Sequence, residues 1–334
     1  MIPERLELMG ILPDNIVVHL IVLGICFLVL SKAADLLVDG AVSIAYHLKV
    51  PKMVIGVVLV GFATTAPEFT VSLLSAIRGF PEIALGNAVG SVIVDDALAL
   101  ALGIVVAPKV MHVEKRSLRR FGIVLLGVDF LAFGLSLNGT LSRLEGLVLV
   151  LLLAVYLVWI VIIEKKEHRA VESEDVEAHL KTGSLAIQFL RFGAGVAGIV
   201  LASEFLIDSA VFIAAYFGAS KAVIGLTVVA IGTSIPEIVT CIVAARKGHG
   251  DLAFGDIIGA DILNVLWIIG TAALANPIVV SRSIILFAFP WMIGVVALML
   301  LLARWGYVLQ RWKGYLLMSV YFVYLAMTLL RYYV

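Results

Sequence analysis

The sequence predicts an all-α polytopic membrane protein, with ten transmembrane helices arranged as two inverted-topology five-helix repeats. Three observations support this fold class: a strongly hydrophobic composition, a series of ten long apolar runs, and a segment that recurs later in the chain at a constant offset. Such self-similarity is typical of duplicated architectures.

The composition is that of a membrane protein. Of 334 residues, 62% are hydrophobic and 14% are charged, and the mean hydropathy is +1.13. This leaves too little polar surface to coat a soluble globule of that length. The predicted partner is therefore a lipid bilayer. The formal net charge of zero, without an aromatic and basic surface segment, argues against nucleic acid. The N-terminus has no cleavable signal pattern, so we expect the first helix to be retained.

The apolar runs are long enough for helices, because a transmembrane helix needs about 20 apolar residues. They also lack the alternating pattern of a membrane β-barrel. The ten predicted helices cover about 16–46, 51–77, 81–107, 119–138, 142–163, 185–216, 220–246, 250–274, 284–304 and 311–333. The domain division is a first repeat at 1–163, a linker at 164–184 and a second repeat at 185–334.

The distribution of lysine and arginine predicts the orientation. Six lie on the side of the N-terminus and sixteen lie in the opposite loops or the linker. Because positive residues are enriched in cytoplasmic loops, both termini should face outward and the linker should be cytoplasmic. An odd number of helices per half then places the two repeats in opposite orientations, an architecture of secondary transporters. The linker alternates acids with bases and lacks Ca²⁺-loop spacing, so we assign it no chemistry.

The duplicated segment places an acidic residue at matching positions in both halves. Pro67-Glu68 recurs as Pro236-Glu237, and at the same offset Gly86 recurs as Gly255. Each glutamate follows a proline inside an apolar run, where an ionisable group is costly and usually functional. The two glutamates are therefore the first candidates for a binding site.

Oxygen donors should gather near the middle of the membrane. If the second helix is centred near Thr64, Glu68 lies about 6 Å from its centre at about 1.5 Å per residue. The third and eighth predicted helices are centred near Asp95 and Asn264, respectively. A proline in a helix interior frees the carbonyl four residues earlier, and hydroxyls accompany each break. These hydroxyls belong to Thr64, Thr65, Thr233 and Ser234. A set of oxygen ligands suits hard cations such as Ca²⁺ or Na⁺.

The paired Thr/Ser-x-Pro-Glu segments, each followed by a Gly-rich stretch, resemble the two alpha-repeats of the calcium/cation antiporter (CaCA) superfamily. The prokaryotic sodium/calcium exchangers are the nearest branch, and the alpha-repeats would cover about 51–107 and 220–274. The resemblance implies that Glu68 and Glu237 are central cation ligands. It also implies one further ligand at an equal spacing beyond each glutamate, at Asp95 and Asn264. The remaining implied ligands are the Ser91 hydroxyl, the backbone carbonyls of Gly61 and Ala230, and hydroxyls or carbonyls of Thr64, Thr65, Thr233 and Ser234.

The chain departs from the family pattern at positions that affect ion choice. Val92 and Ala260 each remove a side-chain oxygen, and Ala260 removes a hydroxyl that the pattern would offer to sodium. Asp261 either rebuilds that position as a ligand or only bonds backbone at a helix contact. Outside the site, we expect Asp35 to pair with nearby Lys32.

The functional hypothesis is a secondary transporter, not an enzyme, that exchanges Ca²⁺ for Na⁺ by alternating access in the cell membrane of a prokaryote. H⁺/Ca²⁺ exchange through the same carboxylates is the main alternative, because burial favours protonated carboxyl groups. A remote alternative is an intramembrane aspartyl protease that uses Asp95 with Asp261 or Asp256. We expect no cofactor and no obligatory protein partner; Ca²⁺ and Na⁺ are the transported ions, with H⁺ as the alternative counter-ion.

Overall fold

The first half of the chain forms long helices interrupted by π-helical turns. The computed structural model describes residues 13–48, 50, 52–167, 184–216 and 230–333. The first-half elements are α1 (Ile16–Leu48), α2 (Lys52–Ile55), π1 (Gly56–Val60), α3 (Gly61–Thr64), α4 (Ala66–Ile77), α5 (Pro81–Val94), π2 (Asp95–Ala99), α6 (Leu100–Val106), β1 (Met111–His112), α7 (Lys115–Ser136), β2 (Thr140–Leu141) and α8 (Arg143–Glu167). Helix α8 therefore continues past the predicted end of the first repeat at 163.

Within its described residues, the second half repeats this order of elements from α3 onward, with the helix Leu185–Tyr216 matching α1, except that the π-helical turn Ile284–Ala288 has no counterpart in the first half. The elements of the second half are α9 (Leu185–Tyr216), α10 (Ala230–Thr233), α11 (Ile235–Arg246), α12 (Gly250–Leu263), π3 (Asn264–Ile269), α13 (Gly270–Ala275), β3 (Ile278–Val279), π4 (Ile284–Ala288), α14 (Phe289–Arg304), β4 (Val308–Leu309) and α15 (Arg311–Tyr333). Helices α4 and α11 begin and end at matching positions of the sequence repeat, and so do α5 and α12. The secondary structure thus repeats with the offset of the sequence. The predicted start of the seventh membrane helix, at 220–229, lies outside the described residues.

Seven helices in the described part of the chain are long and apolar enough to cross a membrane. The pair Gly56–Thr64 and Ala66–Ile77, bent by 53°, makes an eighth if it is one span. In an apolar 18-residue window of each span, 72% of the residues of Pro81–Val106 and 83% of those of Gly250–Ala275 are buried, against 22% for α1. The two π-interrupted helices therefore form the centre of the bundle, and α1 lies at its periphery with α9 packed along it.

Two short antiparallel ladders join the loops of the two halves. Strand β1 pairs with β4, and β2 pairs with β3. Each strand has only two residues, too few for a signal in an alternating hydrophobic pattern. These strands were therefore not predicted from the sequence.

A glycine-lined crossing brings the two halves into backbone contact beside the broken helix. A Cβ atom on Gly56 would lie 2.5 Å from the Leu252 carbonyl oxygen, and one on Gly259 would overlap the Val57 carbonyl oxygen. Small residues permit this close approach of membrane helices. The crossing seats α12 directly on π1 and α3, next to the segment that carries Glu68.

The expected pairing of Asp35 with Lys32 is wrong. Lys247 Nζ lies 3.1 Å from Asp35 Oδ1 and 2.8 Å from Asp39 Oδ1. A spacing of three residues allows an ion pair on a helix surface, but packing of α1 against α11 brings Lys247 to the same place. A sequence-local rule cannot anticipate this tertiary contact.

Candidate cation-binding site

The break in each repeat places a glutamate in the first turn of a helix. Helix α3 ends at Thr64, α4 starts at Ala66, and Pro67 occupies the first turn of α4. Pro236 occupies the first turn of α11 in the same way. Each proline therefore lies just after a one-residue break between two helices, where its missing N–H leaves no bond of the second helix unmade. Glu68 and Glu237 consequently lie near the positive end of a helix dipole.

Three carboxylates from the two halves meet in the core. One carboxylate oxygen from each of Glu68, Asp95 and Glu237 lies within 4.8 Å of the other two, and all three side chains are buried. Glu68 comes from α4, Asp95 from the start of π2 and Glu237 from α11. Three negative charges so close together in a dry interior require positive charge, from a cation or protons, to offset their repulsion and desolvation. We name these residues the acid cluster.

Hydroxyl groups orient the acid cluster but leave most of its oxygens without donors. The hydroxyls of Ser91 and Ser234 each donate to Glu68 Oε1 at 2.9 Å. Thr65 donates to Glu237 Oε1 at 3.4 Å. Four buried oxygens of the cluster have no hydrogen-bond donor: Glu68 Oε2, Glu237 Oε2 and both oxygens of Asp95. Buried polar atoms are normally paired, so these oxygens are the ones positioned to bind a hard cation.

The other hydroxyls predicted from the sequence also contact polar groups next to the acid cluster. Thr64 donates to Asp256 Oδ1 at 3.2 Å and to the Val60 carbonyl at 3.1 Å. Thr233 donates to Asn87 Oδ1 at 3.3 Å. Asn87, a residue not predicted from the sequence, also donates to the Ser72 hydroxyl at 3.0 Å. These bonds extend the polar core around the break in each repeat.

The remaining implied ligands occupy three different settings. Asn264 is buried at the start of π3, as its repeat mate Asp95 is at the start of π2, and neither side-chain polar atom of Asn264 has a hydrogen-bond partner. The Gly61 carbonyl accepts the Thr65 N–H at 3.0 Å, at the C-terminal end of α3. Ala230 is the first residue of α10. Asn264 is thus the one whose side chain remains available to a ligand.

Asp261 belongs to a second group of acids, which adjoins the acid cluster through an electrostatic interaction of Asp261 with Asp95. Its carboxyl group lies within hydrogen-bonding reach of Asp96, and Asp129 on α7 is close enough to interact electrostatically with Asp261. All three are fully buried, and none of their oxygens has a donor. Two carboxylates are both acceptors, so the Asp96–Asp261 contact needs a proton or a cation. Asp129 was missed, although a lone acid in the predicted helix at 119–138 was the available signal.

The chain is similar to proteins of a known family. A family described as "Sodium/calcium exchanger protein" matches residues 18–162 and 187–330. The inner membrane protein YrbG of Escherichia coli is 34% identical over 262 residues, covering 77% of this chain and 79% of that protein. The sodium/calcium exchanger MaX1 of Methanosarcina acetivorans is 30% identical over 341 residues, covering 92% of this chain and 96% of that protein.

A solved structure of the sodium-calcium exchanger NCX_Mj, soaked with Na⁺ and Sr²⁺, matches the fold with a TM-score of 0.80. It is 26% identical, and the match covers 93% of this chain and 99% of that chain. The fold and site thus define an integral membrane cation/Ca²⁺ antiporter, a transporter rather than an enzyme. The chain belongs to the sodium/calcium exchanger family, which confirms the resemblance identified in the sequence and excludes the protease alternative.

Proposed function

We propose that this protein exchanges Ca²⁺ for Na⁺ by alternating access at the acid cluster. The observation that carries the proposal is the convergence of three buried carboxylates, with four oxygens lacking donors, within 4.8 Å. Carboxylate oxygens are preferred Ca²⁺ ligands, and the three charges exceed those of one divalent ion. The similar proteins MaX1 and NCX_Mj are both sodium/calcium exchangers by name, which supports sodium as the counter-ion.

The proposed architecture is ten membrane spans in two inverted five-helix repeats, divided at the linker 164–184. The repeated bounds of α4 and α11 support the duplication. The excess of lysine and arginine on one side supports outward termini and a cytoplasmic linker. Five spans per half then invert the second repeat relative to the first, so each repeat contributes one glutamate from the opposite direction.

Charge neutralisation couples the two ion fluxes in this proposal. Ca²⁺ or Na⁺ binds among Glu68, Asp95 and Glu237, with Asn264 and the hydroxyls of Ser91 and Ser234 as further oxygen donors. The loaded and largely neutralised site allows α1 and α9 to slide together over the central bundle. The empty site keeps its charge, and moving unpaired carboxylates through a dry region costs several kcal/mol. Exchange is therefore favoured over a leak.

H⁺/Ca²⁺ exchange is the second candidate, and the Asp96–Asp261 contact favours it. One proton between these two carboxyl groups would convert an acceptor–acceptor contact into a hydrogen bond. Ala260 also favours proton exchange, since it lacks the hydroxyl that the family pattern would offer to sodium.

Proteoliposomes loaded with Ca²⁺ separate the two candidates. A Na⁺ gradient at equal pH on both sides should drive Ca²⁺ release, and a pH gradient without Na⁺ should not. Release driven by the pH gradient alone would instead establish proton exchange. The Asp96→Asn variant is the companion measurement, because it removes one carboxyl group of the Asp96–Asp261 contact while leaving the acid cluster intact. It should retain Na⁺-driven release under the first mechanism and lose pH-driven release under the second.

A further inference from the structure

An ion-paired group outside the acid cluster joins the peripheral helix α1 to the helix that carries Glu237. Lys247 Nζ contacts the carboxylates of both Asp35 and Asp39, at 3.1 and 2.8 Å. It also donates to the Asp35 backbone carbonyl at 3.3 Å. Lys247 directly follows α11, whose first turn bears Glu237. We call Lys247, Asp35 and Asp39 the Lys247 trio.

The constant offset of the repeat produces a second trio with the same charges. Arg78 is the repeat mate of Lys247, and Glu204 and Asp208 are the repeat mates of Asp35 and Asp39. Arg78 directly follows α4, whose first turn bears Glu68, and the two acids lie on α9. We call these residues the Arg78 trio. In each trio, the cation follows the helix that bears one glutamate, and the two acids lie on the peripheral helix of the other half.

One trio is closed in the structure, meaning that its ion pairs are formed, whereas the other is open, meaning that its ion pairs are not formed among the described residues. Helix α1 packs against α11, whereas α9 and α4 have at most marginal contact among the described residues. No ion pair between described residues joins Arg78 to Glu204 or Asp208, while the Lys247 trio is fully paired. Arg78 is exposed and the two acids are half-buried. The asymmetry lies in tertiary contacts and not in charge pattern, because both trios have the same signs.

We propose that the two trios form a reciprocal switch: the Arg78 trio closes when the Lys247 trio opens, as the protein turns its site to the opposite side of the membrane. This inference rests on the proposed alternating-access function. Each trio is partly exposed, and exposed ion pairs contribute modestly, so neither blocks the transition. Because the trios favour opposite states by similar amounts, they keep both states populated, as repeated turnover requires.

Cysteine pairs test this reciprocity directly. One pair is Asp39→Cys with Lys247→Cys, and the other is Arg78→Cys with Asp208→Cys. The two natural cysteines, Cys26 and Cys241, are both buried and would be replaced by alanine. In proteoliposomes, a short cleavable thiol cross-linker should join the cysteines of either pair and stop ion exchange. Cleavage of the cross-linker should restore exchange.

A protein carrying all four cysteines provides the decisive measurement. Mass spectrometry should find molecules with one cross-link or the other, and no molecules with both. Double cross-linking within one molecule would overturn the proposal. So would an actively exchanging protein in which the second pair never cross-links under any ion condition.

Charge variants give an independent readout. Lys247→Gln and Arg78→Gln should change the ratio of half-saturating Ca²⁺ concentrations on the two membrane faces by about two- to fivefold, in opposite directions. Lys247→Arg is the matched control and should leave the ratio unchanged. A shift of the same sign in both Gln variants would refute the reciprocal switch. Ion exchange by the unmodified protein, measured in parallel, tests the proposed function separately, because the cross-linking pattern does not depend on which counter-ion is used.

Discussion

Replacing Glu68 by glutamine removes one negative charge from the acid cluster and changes little else. The amide keeps an oxygen that can accept the hydrogen bonds from Ser91 and Ser234, both 2.9 Å long in the structure. The side chain is buried and its volume is preserved, so we expect normal folding. Any effect on transport therefore reports the lost charge.

The size of the effect follows from the geometry of the cluster. A unit charge about 4 Å from another interacts by about 4 kcal/mol at an effective dielectric constant of about 20, and a divalent cation doubles this to about 8 kcal/mol. Dehydrating the carboxylate costs several kcal/mol in return. A net loss of about 4 kcal/mol corresponds to a roughly thousandfold weaker affinity for Ca²⁺.

Sodium-driven uptake of radioactive Ca²⁺ into proteoliposomes measures the loss. Glu68→Gln and Glu237→Gln should each abolish exchange at Ca²⁺ concentrations that saturate the unmodified protein. Glu82→Gln is the matched control, since Glu82 lies in the first turn of the adjacent helix α5 but is exposed. Near-normal uptake by either site variant would refute the assignment of the acid cluster as the transport site.

Three further predictions concern packing, pH and ion choice. Gly259→Ala should lower the free energy of unfolding by about 1–3 kcal/mol, because its Cβ would overlap a carbonyl oxygen of π1. Its repeat mate Gly90 has open space, so the Gly90→Ala variant should melt like the unmodified protein. Equal melting temperatures of the two variants would contradict the crossing geometry. Burial and the nearby Lys52 ammonium lower the pKa of His249 below its ordinary value of 6.5. The unfolded chain therefore binds more protons than the folded protein, and stability should fall as pH drops below about 6.5. Thermal unfolding of the His249→Phe variant should show less of this decline, and a pH profile identical to that of the unmodified protein would contradict the role of His249. Ala260→Ser restores a hydroxyl, which contributes about 1 kcal/mol as a new polar contact. The variant should therefore lower the half-saturating Na⁺ concentration for Ca²⁺ efflux about fivefold. An unchanged Na⁺ dependence would exclude sodium from that position.

The sequence was sufficient for the elements with strong local signals. The predicted helices at 81–107 and 284–304 agree with the described spans Pro81–Val106 and Ile284–Arg304 within a residue. Their apolar runs have the length of a membrane crossing, a signal that needs no tertiary information. The grouping of Glu68, Asp95 and Glu237 was likewise accessible, since duplicated motifs place equivalent residues at equivalent depths.

Local rules failed where distant segments compete for the same group. Asp35 pairs with Lys247 and not with Lys32, because helix packing determines which basic side chain lies next to it. The association of Asp261 with Asp96 and Asp129 needed the relative rotation of three helices, which spacing along one helix does not specify.

By itself, the sequence established a duplicated membrane protein with an oxygen-rich site, because bilayer burial penalises every polar residue and makes those that remain conspicuous. The antiporter assignment came from the resemblance of its motifs to a known family. Only the tertiary structure decided which oxygens lack donors, which acids form the second group, and which of the two charged trios is closed. Those properties depend on distances of a few ångströms between helices from different halves. A pattern of residue types along one chain contains no such distances.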